Sequence, residues 1–421
     1  MKCYQCGGSV RDEILGVQPH DYDYCVVGST PEEMLKLGYQ QVGKDFPVFL
    51  DKDGNEYALA RTERKTGDKH TDFEFDFNPE ITLKDDCFRR DFTCNAIAKD
   101  LESEEIIDYF GGIQDIKNKV LRCVDYETFK LDPLRVLRAA RFSAQLNFDI
   151  EVMTLHTCRQ MVEDGMLDHL TPERIFKEFE KALHTNNFSN FIKVMDWTKA
   201  LDVVLPELTA LKKVQEIESH HPEKNTFAHT ILVLEYADKM NYPALVQFAL
   251  IFHDIGKLLT PKDVLPHHYG HEEAGLEIID KICDRLRVPN DYRKFAKLSC
   301  KYHMNLRRIY EMKPGHIFDM LDDITKGFTQ ILKLKMLFQV SEADLYGRGK
   351  EPREERKNQF DKSQEIAYNM YNILEKVSAS DFPELIERSD KLSGKEFGEL
   401  YRVKKIQYYC DRIKNATEKP V

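Results

Sequence analysis

The sequence predicts an α+β protein in which a domain with a small β-sheet precedes an all-helical remainder. The chain has 421 residues, enough for roughly two to four domains with separate cores. Short β-rich runs separated by Gly and Asp turns fall within about the first 130 residues. From Asp132 onward the strand patterns fade and helical spacing replaces them, which separates the sheet from the helices along the chain.

The predicted elements divide the chain into regions. The predicted strands are Tyr24–Gly28, Phe46–Leu50, Glu56–Ala60 and Asn95–Ala98. The clearest helices are Pro133–Phe142, Pro172–Leu183 and Phe188–Met195, two of them with proline in the first turn. We expect a head over residues 1–130, a helical neck and body over 131–219, a histidine-rich helical domain over 220–350, and a helical tail over 351–421.

The composition is that of a water-soluble globular protein, with 42% hydrophobic and 32% charged residues. No apolar run approaches the ~20 residues that a membrane-spanning helix needs, and Arg11, Asp12 and Glu13 stand where a signal peptide would be apolar. The ten cysteines form no disulfide-like framework, so we expect reduced thiols and a cytoplasmic protein. The net charge of −11 argues against a uniformly basic RNA-coating protein but is compatible with RNA binding through a local patch.

The first motif combines a glycine turn with two carboxylates. In the segment Gly7–Asp12 (GGSVRD), the two glycines precede a helix expected to start near Val10. Arg11 offers a charge-assisted donor to phosphate. Asp21 and Asp23 are two residues apart, which on a strand directs both carboxylates to one face. Such a pair can hold Mg²⁺. Either feature alone is more often a turn or a solvated edge, but their close succession favours a metal and triphosphate site.

A second cluster lies in Arg89–Ala96 (RRDFTCNA). Arg90 can contact phosphate, although an arginine pair followed by aspartate is also common on solvated surfaces. Asp91 and Asn95 are four residues apart, so we expect them to face each other across a helical turn or a loop closure.

The third cluster opens a helix, with Asp132 as the expected cap before Pro133. Arg135, Arg138 and Arg141 recur every third residue and form a stripe on one side of that helix. A solvated basic face would look the same. The functional alternative is a stripe facing a nucleotide, in which Arg135 and Asp132 supply donors and acceptors to cytosine or adenine.

The order GGSVRD, DYD, RRDFTCNA, DYFGG and DPLRVLRAARF resembles that of the class II tRNA nucleotidyltransferases. The resemblance covers essentially the whole chain and implies a polymerase-beta-like head, helical neck, body and tail, and addition of CCA to tRNA from CTP and ATP. It implies that Asp21 and Asp23 hold Mg²⁺ and that Asp132 and Arg135 select the base. The positions implied to bind the nucleotide are Gly8, Arg11, Arg90, Arg138 and Arg141.

One position departs from the family pattern. The family usually has Glu before the Asp of the last motif, and here Leu131 stands there. Base selection is then expected to be looser, or to be supported by another carboxylate. Glu63, in Arg61–Arg64 (RTER), resembles the family's Arg-x-Glu element and suggests a supporting role.

Histidines concentrate in the second half of the chain, where eight of the 14 lie between residues 220 and 303. An isolated His-Asp pair usually belongs to an ordinary helix end. Here the order of histidines and aspartates resembles the HD superfamily of metal-dependent phosphohydrolases, with the implied ligands His229, His253, Asp254 and Asp344. This donor set suits a divalent transition metal such as Ni²⁺ or Mn²⁺, and His271 and His303 are candidates for a second metal or for holding a phosphate. The resemblance implies hydrolysis of 2′,3′-cyclic phosphates, 2′-nucleotides and simple phosphate esters.

Two other functions fit parts of the same pattern. A poly(A) polymerase has the same head but typically carries a basic tail. A phosphohydrolase whose head merely binds RNA would lack CTP turnover. We expect tRNA, CTP and ATP as partners, no membrane, and a monomer or a homodimer.

Overall fold

The computed structural model describes residues 1–19, 21–42, 48–65, 73–76, 78–215, 225–327, 329–348 and 352–417. The side chains of 63–65, 73–76 and 414–417 lie outside this description. The chain forms two compact units, Met1–Pro206 and Glu207–Val421. The α+β class is confirmed, because the sheet lies in the first unit and the second is built of helices.

A sheet forms the centre of the first unit. In chain order the strands are β1 (Lys2–Cys6), β2 (Asp23–Val27), β3 (Gln40–Val42), β4 (Val48–Leu50), β5 (Glu56–Leu59), β6 (Thr62–Lys65), β7 (Phe73–Asp76), β8 (Ile97–Asp100), β9 (Ile106–Asp108), β10 (Val120–Leu121) and β11 (Asp149–Ile150). Within the described residues, the main sheet has the order β3-β4-β5-β2-β1-β8-β9, while β6 pairs with β7 and β10 with β11. β2 pairs antiparallel with β1 and parallel with β5.

Both faces of the main sheet are covered. Cys25 packs into one buried cluster with Tyr4 and Cys6, whereas its neighbour Val26 packs into another with Phe49. Because successive side chains of a strand point to opposite faces, a strand buried on both sides reads as a continuous apolar run. This is why the run after Asp23 was recognisable from sequence.

Helices pack against the sheet and complete the first unit. They are α1 (Gly8–Ile14), α2 (Pro31–Lys36), α3 (Leu83–Phe88), α4 (Gly112–Asn118), α5 (Tyr126–Phe129), α6 (Leu134–Leu146), α7 (Val152–Glu163), α8 (Pro172–Leu183), α9 (Phe188–Trp197) and α10 (Ala200–Val204). The boundary between the two units falls within α11 (Pro206–Ala210). α6 packs against both α8 and α9. Its arginines line the same cavity as the start of β2.

Most predicted elements are present with shifted ends. α8 has the predicted bounds, whereas α1 begins at Gly8, two residues before the expected start. Asn95 was expected to begin a strand, but it ends the 3₁₀ turn Thr93–Asn95, and β8 starts two residues later. β1 was not predicted, because KCYQC alternates only weakly between apolar and polar residues. The first two residues of the predicted strand Phe46–Leu50 lie outside the described residues.

The second unit is helical throughout its described residues. After α11 its helices are α12 (Thr226–Lys239), α13 (Ala244–Leu250), α14 (His271–Arg285), α15 (Asn290–Leu306), α16 (Pro314–Thr325), α17 (Ile331–Tyr346), α18 (Glu354–Leu374), α19 (Pro383–Ile386) and α20 (Gly394–Thr417). α15 packs against α13, α14 and α17 and so lies at the centre of this unit. All ten cysteines of the chain are free thiols. None of the helices in the described ranges is long and apolar enough to cross a membrane.

A close backbone approach joins α14 to the 3₁₀ helix Ile255–Leu259. A Cβ on Gly256 would lie 1.9 Å from the carbonyl oxygen of His271 and 2.6 Å from the amide nitrogen of Gly275. Both obstacles are backbone atoms, which cannot rotate away as a side chain can. Only glycine therefore allows the two elements to meet at this distance.

Gly256→Ala is expected to lower the free energy of unfolding of the second unit by about 1–3 kcal/mol, the usual cost of forcing extra volume into a packed interior. Gly398→Ala is the matched control, because Gly398 lies in α20 with no atom within 4 Å of an added Cβ. Urea denaturation followed by circular dichroism measures both. Equal unfolding midpoints for the two variants would contradict this account.

Candidate active sites

A cavity of about 830 Å³ opens in the first unit. Its lining combines side chains from α1, α6 and α8 with the start of β2. The residues predicted to hold metal, bind the nucleotide or select the base all line it: Gly8, Arg11, Asp21, Asp23, Arg90, Asp132, Arg135, Arg138 and Arg141. Leu131 is not among the lining residues, and the side chain of Glu63 lies outside the described part of the chain.

Strand register places Asp23 at this cavity, whereas Asp21, expected on the same strand, lies two residues before the strand begins. Asp23 is the first residue of β2, and its Cα lies opposite that of Cys6, the last residue of β1. Because the strands are antiparallel, the chain leaving Cys6 toward Gly7 and the chain entering from Asp21 lie at the same end of the sheet. Asp21 and Asp23 are both exposed and both line the cavity. Oxygen donors in this setting suit a divalent cation such as Mg²⁺.

The glycine turn between β1 and α1 is required by geometry. Gly7 has φ of 76°, in the region that favours glycine, and its N–H donates to the carbonyl of Ile97 at 3.0 Å. A Cβ at Gly7 would lie 2.7 Å from Nη1 of Arg90. The turn therefore lets an arginine approach the backbone at the edge of the cavity.

Arg11 and Arg90 are each held by oxygen atoms of neighbouring side chains. Arg11 is buried, and its Nη1 donates to Oδ1 of Asn95 at 2.7 Å while its Nη2 donates to Asp12 at 2.7 Å. Arg90 donates through Nη2 to Oδ2 of Asp86 at 3.1 Å. Burial opposes ionisation of Asp86, but Arg89 and Arg90 outweigh it and lower its pKa to about 2.

Asp91 links the head to the arginine stripe of α6. It accepts from Nδ2 of Asn95 at 3.0 Å, the contact expected from their spacing, and from Nε of Arg138 at 2.7 Å. Burial raises the pKa of Asp91, but Arg138 and the bond from Asn95 lower it further, to about 2. An ionised carboxylate therefore holds Arg138 against the cavity.

Asp132 and Arg135, the expected base-selecting pair, each have partners within the fold. Asp132 accepts from the backbone N–H of Leu134 at 3.1 Å, and both its carboxylate oxygens lie 3.3 Å from Nη2 of Arg174. Arg135 donates through Nη1 to the carbonyl of Thr128 at 2.9 Å and through Nη2 to that of Arg89 at 2.6 Å. Two main-chain carbonyls thus contact this guanidinium, and it also lies close enough to the carboxylate of Asp91 to help lower the pKa of that group.

The sequence reasoning missed one face of α8. Arg174, Glu178 and Lys181 recur at positions i, i+4 and i+7, which share one side of a helix. Arg174 and Lys181 line the cavity, and Glu178 accepts from Nε of Arg141 at 2.5 Å. This spacing was visible in the sequence. The sequence did not show that this face lines the cavity, because no local feature indicates that α8 packs against α6.

The second unit brings together all six histidines and aspartates named from the sequence. They form two buried groups, each with ligand atoms within 4.8 Å of one another: His229, His253 and Asp344, and then Asp254, His271 and His303. Nε2 of His229 lies 3.1 Å from Asp344 and 3.9 Å from Asp254. Their side chains come from or near α12, α13, α14, α15 and α17.

The hydrogen bonds of the rings determine where their lone pairs point. Nδ1 of His253 faces the carbonyl of Leu250 at 2.7 Å, and Nδ1 of His271 faces that of His268 at 2.7 Å. Nδ1 of His303 lies 3.0 Å from the carbonyl of Cys300. A carbonyl only accepts, so in each neutral ring Nδ1 carries the hydrogen and Nε2 is the acceptor.

These acceptor nitrogens face another acceptor. The Nε2 atoms of His253, His271 and His303 lie 3.3, 3.2 and 3.6 Å from the carboxylate of Asp254, and they are buried without a hydrogen-bond partner. Lone pairs directed at a carboxylate repel unless a proton or a metal cation lies between them. The arrangement therefore fits a divalent metal held by imidazole nitrogen and carboxylate oxygen.

Cations around the cluster keep its carboxylates ionised. Burial raises the pKa of Asp254, but Lys257, with Nζ at 2.8 Å, and His253 lower it well below the usual range. Burial also opposes ionisation of Asp344, which Arg307 and Arg348 outweigh, so its pKa too is well below normal. The sequence reasoning missed Lys257, Arg307 and Arg348. Lys257, three residues after Asp254, and Arg348, four residues after Asp344, had a local signal, and Arg307 had none.

Comparison with known families separates the chain into three matched segments. Residues 3–122 match the family described as "Poly A polymerase head domain". Residues 147–212 match "Probable RNA and SrmB- binding site of polymerase A", and residues 226–367 match "HD domain".

Curated relatives match most of the chain. A multifunctional CCA protein of Mannheimia succiniciproducens is 46% identical over 333 residues, which is 77% of this chain and 79% of the relative. A multifunctional CCA protein of Haemophilus influenzae is 44% identical over 358 residues, 83% of this chain and 85% of the relative.

Solved structures share the fold. The apo form II of a CCA-adding enzyme aligns with a TM-score of 0.62 at 22% identity, covering 99% of this chain and 92% of that one. The Thermotoga maritima CCA-adding enzyme complexed with tRNA(CCA) aligns with a TM-score of 0.62 at 23% identity, covering 96% and 86%.

The ion pair between Asp91 and Arg138 is expected to make stability depend on pH. Because the pKa of Asp91 falls from an ordinary value near 4 to about 2, its contribution is present above pH 4 and is lost as pH falls toward 2. Asp91→Asn should lower the free energy of unfolding by roughly 2 kcal/mol at pH 6. This gap in the free energy of unfolding between the variant and the parent protein should be smaller at pH 2.5.

Urea unfolding at the two pH values measures that gap, with Asp164→Asn, at an exposed carboxylate, as the control. A gap for Asp91→Asn that is the same at both pH values would contradict the ion-pair explanation.

Proposed function

Because this chain belongs to the family of multifunctional CCA proteins, we propose that it adds CCA to the 3′ end of tRNA from CTP and ATP without a nucleic-acid template. The observation that carries the proposal is the convergence of Asp21, Asp23, the glycine turn and the α6 arginines on one cavity. The same chain carries a phosphohydrolase centre built on the histidines and aspartates of the second unit.

In the proposed transfer, the RNA 3′-hydroxyl attacks the α-phosphate of CTP twice and then that of ATP, and pyrophosphate leaves each time. Asp21 and Asp23 would hold Mg²⁺, which loosens the hydroxyl proton and neutralises charge on the leaving group. The triphosphate lies against arginines that are already fixed by carboxylate and amide oxygens: Arg11, Arg90, Arg138 and Arg141. Catalysis is then mainly positioning and charge stabilisation.

Base selection is assigned to Asp132 and Arg135. An exocyclic amino group of cytosine or adenine would donate to Asp132, while Arg135 donates to a ring nitrogen or carbonyl of the base. Since two main-chain carbonyls contact Arg135 and Arg174 contacts Asp132, the pair is held in place without the Glu that the family usually has at position 131.

In the second unit, His229, His253, Asp254 and Asp344 would hold a divalent transition metal such as Ni²⁺ or Mn²⁺, and His271 and His303 complete a second position. Such a metal supplies a water of lowered pKa. Hydrolysis of a 2′,3′-cyclic phosphate forms a bond from the water oxygen to phosphorus and breaks one ring P–O bond, and the ribose oxygen receives the proton. Breaking the bond to O3′ would free the 3′-hydroxyl and leave a 2′-phosphate, which a second hydrolysis would release as inorganic phosphate before nucleotides are added.

We also propose the four-region division at residues 130, 219 and 350, a cytoplasmic location, and a monomer or homodimer. A poly(A) polymerase remains the alternative suggested by the head-domain match. With ATP alone and a generic RNA, that enzyme would add a long adenosine tract. A CCA-adding enzyme given tRNA ending in CC stops after one adenosine.

Asp21→Ala is expected to abolish CTP incorporation into tRNA trimmed by three nucleotides while sparing hydrolysis of 2′,3′-cyclic AMP. His253→Ala should do the reverse, because the two sites use separate side chains. Sequencing of the RNA 3′ ends and phosphate release measure the two activities. Loss of both activities in either folded variant would argue against two independent sites.

Arg174→Ala is expected to loosen base selection, because it frees the carboxylate that accepts from the base. A bidentate base contact gives about 1–3 kcal/mol of discrimination, so the ratio of kcat/KM for CTP over UTP should fall roughly tenfold or more. Arg159→Ala is the control, since Arg159 bonds the carbonyl of Trp197 and lies outside the cavity lining. An unchanged CTP-to-UTP ratio would remove Arg174 from base selection.

A further inference from the structure

An exposed aromatic stack lies in the loop between the 3₁₀ helix Ile255–Leu259 and α14. The rings of His267 and Tyr269 lie with their centroids 5.4 Å apart and their planes 17° from parallel. Tyr269 is 78% exposed, the highest value among the large hydrophobic side chains of the described residues. With His267 against one face, the other face of the tyrosine ring is open to solvent. The hydrolytic chemistry proposed above uses neither ring.

Hydrogen bonds fix this loop relative to the metal centre. Nε2 of His268 faces the carbonyl of Gln215 at 3.3 Å and must donate to it, so Nδ1 accepts from the hydroxyl of Thr260 at 2.7 Å. The carbonyl of the same His268 accepts from Nδ1 of His271, whose Nε2 points at Asp254. The residue between the two stacked rings is therefore bonded directly to a candidate metal ligand.

The stack lies close along the chain to a candidate metal ligand. Tyr269 precedes His271 by two residues, so their Cα atoms are at most about 7.6 Å apart. A nucleotide whose phosphate lies at the metal can extend its base over such a distance. Every nucleobase has a π-face, so stacking on an aromatic ring accepts any base.

We propose that Tyr269, supported by His267, is the base-binding platform of the histidine–aspartate centre. It lowers KM for phosphate esters that carry a base relative to phosphate esters that carry none. The inference rests on the proposed phosphohydrolase function and specifies its substrate class. The base stacks on Tyr269 while the phosphate occupies the cluster formed by Asp254, His271 and their neighbours.

The test compares a substrate that has a base with one that has none. Wild-type protein and its variants are loaded with Ni²⁺ or Mn²⁺ and assayed with 2′-AMP and with β-glycerophosphate. Tyr269→Ala should raise KM for 2′-AMP roughly tenfold or more, the size expected for one lost base stack, with kcat nearly unchanged. Hydrolysis of β-glycerophosphate should not change.

Two further variants distinguish stacking from loss of loop structure. Tyr269→Phe keeps the aromatic face and should retain the wild-type KM. Leu265→Ala removes an exposed apolar side chain of the same loop that takes no part in the ring pair, and it should leave both substrates unaffected. An unchanged KM for 2′-AMP in Tyr269→Ala, or an equal loss of activity with both substrates, would contradict the role of Tyr269 as a base-binding platform.

Binding to the metal-free protein gives a readout that does not depend on turnover. Equilibrium dialysis with labelled 2′-AMP should show weaker binding to Tyr269→Ala than to the parent and to Tyr269→Phe. If no phosphate ester is hydrolysed with either metal, the proposed phosphohydrolase function is wrong, and the dialysis result alone shows whether Tyr269 binds the base. Absence of both hydrolysis and 2′-AMP binding in the parent protein would overturn both.

Discussion

The antiparallel pairing of β1 with β2 is the constraint on which the head depends. Backbone hydrogen bonds fix Cys6 opposite Asp23, and a shift of one residue would turn Asp23 toward the other face of the sheet. The shift is resisted because Cys25 and Val26 are buried in different clusters on the two faces. Packing of the apolar residues thus determines where the exposed carboxylates lie relative to the glycine turn.

The cavity gathers several arginines at low dielectric, and this would be unfavourable without counter-charges. Three of these arginines each have a carboxylate as counter-charge: Asp86 for Arg90, Asp91 for Arg138, and Glu178 for Arg141. The carboxylates are not themselves placed to react. They hold the guanidinium groups in position before a triphosphate arrives, so little reorganisation is needed when it binds.

In the second unit, main-chain carbonyls hold the histidine rings in position. Carbonyls of Leu250, His268 and Cys300 take the Nδ1 hydrogens of three rings and direct the Nε2 lone pairs at Asp254. Each carbonyl lies three residues before the ring that it binds, so the local backbone largely fixes each ring, in a helix for His303 and in turn or loop segments leading to His253 and His271. The close approach of Gly256 to α14 then brings His271 to the cluster.

The sequence by itself determined the fold class, most of the elements and nearly all of the candidate ligands, because these depend on local spacing, periodicity and side-chain chemistry. It did not determine the pairs that tertiary structure forms. His229 and Asp344 are 115 residues apart, Asp91 and Arg138 are 47 apart, and Asp132 and Arg174 are 42 apart. Only the packing of whole helices decides which of these distant side chains meet, since the energy that brings them together is mostly burial of apolar faces elsewhere and leaves no local mark at the polar residues.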